Sequence, residues 1–85
     1  MNTFSPTGVC TKQITFDVQD DRIKNVIFHG GCDGNLQGIA KLVEGLPAHE
    51  VIARLKGIRC GSKTTSCPDQ LAAALEEAAA MAKTN

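Results

Sequence analysis

Tryptophan and tyrosine are missing from this chain, and Phe4, Phe16 and Phe28 are its only aromatic residues. A core therefore has to be built from Ile, Leu, Val and Ala, and the aromatic platforms on which nucleic-acid bases usually stack are lacking. Net charge is missing too, since nine basic residues balance nine acidic ones. A phosphate-binding surface normally needs clustered Lys and Arg, so nucleic acid is not an expected partner. No run approaches the roughly 18 consecutive apolar residues that span a bilayer, and no membrane association is expected. The opening "MNTFSPTGVC" has neither the basic nor the apolar region of a signal peptide. The expected location is the cytoplasm, where persistent disulfides are rare, so four cysteines lean toward metal or redox chemistry.

What remains is an ordinary globular composition, 42% apolar over 85 residues, and residues 1–85 are read as a single domain because so short a chain cannot build two cores. From Val9 to Val18 the even positions alternate toward Ile14, Phe16 and Val18, the period of a half-buried strand. "QDDR" reads as a polar turn, and "IKNVIFHG" as a second strand with Val26 and Phe28 on one face. "GGCDGN" opens a helix that Asp33 or Asn35 can cap, with Leu36, Ile39, Ala40 and Val43 at helical spacing and Gly45 as its stop. Pro47 suits the first turn of a second helix whose stripe is Val51, Ile52 and Leu55. Gly57 takes the left-handed position after it, with Ile58 behind. A third helix starts near Pro68, where Ser66 and Asp69, or Cys67 and Gln70, have capping-box spacing. Its apolar stripe is Leu71, Leu75, Ala78 and Ala82. The expected fold is α+β: a small antiparallel sheet followed by three helices packed on one face. A lone hairpin leaves edges exposed, so a third short strand from residues 2–7, or edge pairing in a homodimer, is expected.

The hairpin register has consequences for the cysteines. Pairing Phe16 with Val26 and Ile14 with Phe28 makes both apolar faces coincide. Continued outward, it sets Lys12 opposite Gly30 and Cys10 opposite Cys32, and directly opposed residues have Cβ atoms only about 4.5–5.5 Å apart. Cys32 and Cys67 each stand at a predicted helix start, where unpaired N–H groups and the helix dipole favour thiolate, the form that binds metal or attacks a disulfide. Cys60 follows the Gly57-Ile58 turn, and the loop "GSKTTS" allows it to return toward Cys67.

Four converging thiols suit a tetrahedral zinc, and the same set holds iron–sulfur clusters. The spacings are C-x21-C, C-x27-C and C-x6-C, without the paired C-x2-4-C knuckles of a zinc ribbon. The alternative is that some of these thiols pack as small buried hydrophobes. His29 lies three residues from Cys32, but the register puts it on the opposite face, and His49 is read as solvated. Asp20 and Asp21 are turn residues rather than an acid/base pair. The glycines of "GGCDGNLQG" match neither a P-loop nor a dinucleotide fingerprint, and no Ser-His-Asp or Cys-His dyad can be assigned.

"TSCPDQLAAAL", "GGCDGNLQGIAKLVEG" and "LKGIRCG", with Gly8-Val9-Cys10 ahead of them, resemble the TSCPD domain family, whose hallmark is the run Thr65-Ser66-Cys67-Pro68-Asp69. The resemblance covers nearly the whole chain and all four cysteines. Such domains occur as small stand-alone bacterial proteins and as the C-terminal part of adenosylcobalamin-dependent ribonucleotide reductases. Stand-alone members are often labelled ribonucleoside-diphosphate reductase by that association. A chain of this size has no room for the barrel and cofactor pocket of such an enzyme, and it contains no complete catalytic site. More distantly, the layout is similar to U-type iron–sulfur scaffold proteins.

The residues and the resemblance together lead to the expectation of a metal-binding accessory domain. Zinc is placed ahead of an iron–sulfur cluster, with Cys10, Cys32, Cys60 and Cys67 as ligands and a ribonucleotide reductase as the implied partner. Three rivals stand beside it. One is a thiol-disulfide partner of a reductase using Cys60 and Cys67; another is a carrier of a labile iron–sulfur cluster. The third is an interaction domain whose cysteines only pack.

Overall fold

The computed structural model of the chain describes residues 2–9, 11–30, 33–59 and 61–83. Three strands, β1 (Asn2–Phe4), β2 (Gln13–Gln19) and β3 (Arg22–His29), precede three helices, α1 (Asp33–Val43), α2 (Ala48–Leu55) and α3 (Cys67–Lys83). The sheet is antiparallel in the order β1-β2-β3. The third strand expected near the N-terminus is present, with Thr3 opposite Thr15 and Phe4 opposite Ile14.

The β2–β3 turn is made by Asp20 and Asp21, whose φ angles of 54° and 64° are both positive. That is the geometry of a two-residue type I′ loop, whose twist matches that of the strands. Ile14 pairs with Phe28 as expected. Phe16 does not make the regular pair with Val26. Thr15 opposes Ile27 and Asp17 opposes Lys24, so β3 carries one extra residue opposite Phe16. Asn25 accommodates it with a φ of 55°, the left-handed conformation that Asn tolerates better than most residues. Both Phe16 and Val26 still reach the core. β2 starts at Gln13 rather than Val9, and Lys12 N–H donates to the His29 carbonyl at 2.8 Å. The predicted Cys10–Cys32 pairing lies outside the described residues.

The helices cover the face that carries Ile14, Phe16, Ile23 and Val26. Leu36 and Val43 of α1, Val51 of α2, and Leu71, Ala74 and Leu75 of α3 are buried, most of them in one cluster with those strand residues. α1 ends before Gly45, which takes a φ of 81°. The segment that follows runs along the outer edge of β3. Gly45 N–H donates to Ile23 O at 2.8 Å, Ile23 N–H to Leu46 O at 2.9 Å, and Ala48 N–H to Asp21 O at 2.7 Å. It therefore pairs backbone groups that an edge strand would otherwise expose. Pro47 stands at the cap position just before α2 rather than within its first turn. After α2, Gly57 adopts the expected left-handed conformation with a φ of 88°. Among the described residues no helix is long and apolar enough to cross a membrane.

Candidate functional site

The start of α3 is where three separate parts of the chain meet. Ser66 caps it: its hydroxyl accepts the Asp69 N–H at 3.2 Å and donates to the Ile58 carbonyl at 2.7 Å. That satisfies one of the first-turn donors a helix leaves unpaired. The predicted capping box is therefore half formed. Asp69 does not reach back to Ser66; its carboxylate accepts the Gly57 N–H at 2.7 Å and the Thr65 hydroxyl at 2.5 Å. These bonds, the Thr65 one foremost, hold the Asp69 carboxyl below the ordinary carboxylate range. The turn after α2 is thus tied to α3 through both Ile58 and Gly57.

The β1–β2 loop is tied to the same helix start from another side. Gln70 donates from Nε2 to the Thr65 hydroxyl at 2.9 Å and accepts the Thr7 N–H on Oε1 at 3.1 Å. Gly8 passes so close that a Cβ there would stand 3.3 Å from Thr65 Cγ2. With a φ of 71°, this is a position where a side chain would be both strained and crowded. Thr11, only 2% exposed, places its hydroxyl 2.9 Å from the Cys67 sulfur. The sequence carries no sign that Thr11 partners this thiol. Nothing in local spacing links residues 56 positions apart.

Cys67 is a free, half-buried thiol. It opens onto a cavity of about 480 Å³. One wall is Val9, from the β1–β2 loop; a second is Asn35, Leu36 and Ile39 of α1; a third is Ile58 and Arg59 after α2; and Lys63 and Pro68 complete it. Of the four predicted ligands, Cys67 is placed here, and Cys10, Cys32 and Cys60 lie outside the described residues. Among the described residues no three His, Cys, Asp or Glu side chains stand close enough to hold a metal ion. His29 is engaged elsewhere: its Nε2 is 3.1 Å from the Thr15 hydroxyl, on the sheet face away from Ile14 and Phe28. His49 is exposed at the start of α2, as expected.

Cys67 fits the chemistry of a metal ligand as far as one donor can. A hydroxyl within hydrogen-bond distance of a ligand sulfur orients it.

The sequence model of the TSCPD domain family matches residues 2–79. No curated protein matches the chain, and no solved structure does.

Proposed function

Because the chain belongs to the TSCPD domain family, we propose that it is a metal-binding accessory domain in which Cys10, Cys32, Cys60 and Cys67 hold zinc. The observation that carries this reading is the composition of the cavity wall beside Cys67. Val9 and Arg59, which line it, are the chain neighbours of Cys10 and Cys60, and Asn35 follows Cys32 by three residues. Adjacent Cα atoms are about 3.8 Å apart across a trans peptide, and it is this nearness in sequence of lining residues to three cysteines that supports the reading. Thr11, beside Cys10 in the chain, already contacts the Cys67 sulfur. A closed set of four thiolates would make the domain structural rather than catalytic. Its partner in this proposal is a ribonucleotide reductase, and its compartment is the cytoplasm, where the thiols stay reduced.

Native mass spectrometry of protein purified anaerobically, without chelators, tests the proposal. One zinc per chain is expected, with four free thiols after release under denaturing conditions. Cys67→Ser is expected to lower zinc occupancy at least tenfold at limiting metal. A metal-free mass two hydrogens light would replace the proposal with the disulfide reading, and visible charge-transfer absorption with the iron–sulfur one.

A further inference from the structure

α1 exposes more apolar surface than the core requires. Leu42 is 78% exposed, although it lies between Ile39 and Val43, which pack inward. It stands over a second cavity, of about 270 Å³, formed where α1 meets α2 at Leu46, Arg54 and Leu55. Ile39 lines both this cavity and the one beside Cys67. The two join into one apolar strip along α1, continued by Ile58, which is 42% exposed. Large exposed apolar side chains set along a continuous groove mark an interaction surface.

The charge around this strip identifies what fits it. In a chain with equal numbers of acidic and basic residues, the described residues lining the two cavities include Arg54, Arg59 and Lys63 and no carboxylate. Arg59 and Lys63 have no carboxylate partner among the described residues. Arg54 makes only a surface pair with Glu50 at 2.8 Å, an interaction that exchanges easily. The eleven residues of α1 extend about 16 Å, the length of three turns of a docked helix rather than of a small ligand.

We propose that the α1–α2 strip is a docking groove for an acidic amphipathic helix of a partner protein. Apolar side chains at i, i+3 and i+7 would seat around Leu42, Ile39 and Ile58, with flanking carboxylates facing Arg54, Arg59 and Lys63. Such a partner would lie across the mouth of the Cys67 cavity. The assignment does not depend on whether the cysteines hold a metal.

The test uses the full chain and a fluorescent 14-residue helical peptide with Leu at those spacings and Glu on its flanks, compared with the same peptide carrying Lys in place of Glu. Fluorescence anisotropy is expected to show saturable binding of the Glu peptide, at least tenfold weaker binding of the Lys peptide, and weakening as salt rises. Leu42→Glu is expected to reduce binding of the Glu peptide at least tenfold. The paired charge reversal Arg59→Glu with Lys63→Glu, at exposed positions, is expected to do the same and to reverse the peptide preference. Equal binding of the two peptides, or none by either, overturns the proposal. So does a dimer in sedimentation that Leu42→Glu dissolves, because the strip would then belong to a second copy of this chain.

Discussion

At Asp69 a single carboxylate holds partners from two places, the Gly57 amide and the Thr65 hydroxyl. The hydrogen bond from Thr65, then that from Gly57, stabilises the ionised form, with Lys56 adding attraction and burial opposing it. The folded-state pKa is therefore below that of the unfolded chain. The stabilisation is fully present above the ordinary carboxylate range and disappears as pH falls through the lower, folded-state value. Hydrogen bonds to a charged group are each worth about 1.5–3 kcal/mol. Asp69→Ala is expected to cost about 2 kcal/mol at neutral pH in urea unfolding, below the sum of two such bonds because Asp69 is half-exposed and solvent screens it. The gap between variant and parent should narrow as the pH falls below the ordinary carboxylate range; a gap independent of pH would remove the carboxylate from this role. The sequence showed part of this, because Ser66 and Asp69 have the spacing of a cap. It did not show that Asp69 is spoken for by Gly57, since that contact depends on how α2 and α3 cross. The same holds for Thr11 and Cys67.

At the level of elements, the β-hairpin is closed by two aspartates in a conformation that suits Asn and Gly better. Both φ angles are positive, and a residue with a Cβ is strained there, less so when its side chain is short and polar and not at all when it is Gly. Replacing Asp20 with Asn and Asp21 with Gly is expected to raise stability by about 0.5–1 kcal/mol, the relief of left-handed strain less the unfolded-state entropy that Gly adds, seen as a higher Tm. An unchanged or lower Tm would show that the carboxylates supply something the backbone geometry does not. The helices were legible because their apolar residues recur at the helical period and Gly45 and Gly57 mark their ends. The bulge was not, because alternation along "IKNVIFHG" gives no sign that Asn25 adds a residue opposite Phe16. Nor does composition reveal that residues 45–48 run beside β3. That segment is placed by backbone hydrogen bonds to Ile23 and Asp21, which any residue type can make.

Across the molecule, one layer of helices on one sheet face leaves a small core that leans on Phe16. Its side chain is 2% exposed and lies among Ile14, Ile23, Val51, Leu71 and Leu75. Phe16→Ala is expected to cost about 3–5 kcal/mol, against a total on the order of 4–13 kcal/mol for a domain of this length. Thermal unfolding by circular dichroism should show the Tm falling by more than about 10 °C; a fall below about 5 °C would mean the core closes around the space. This core could be read from the alternation of β2 and the stripe of α3. The proposed cysteine cluster was an expectation from converging loops, and three of its proposed members lie outside the described residues. The contacts around Cys67 also have a consequence in chain entropy. Thr7 meets Gln70 and Thr11 meets Cys67 across 63 and 56 positions of chain, whereas Gly57 meets Asp69 across 12. Closing the longest of these loops costs about 1.5 kcal/mol more entropy than closing the shortest. The contacts of the β1–β2 loop with α3 therefore carry the larger closure cost, as do those of Ile14 and Phe16 with Leu71 and Leu75 in the core. A ligand gripping both sides of the thiol would act as a latch, offsetting part of the entropy that joining such distant segments costs.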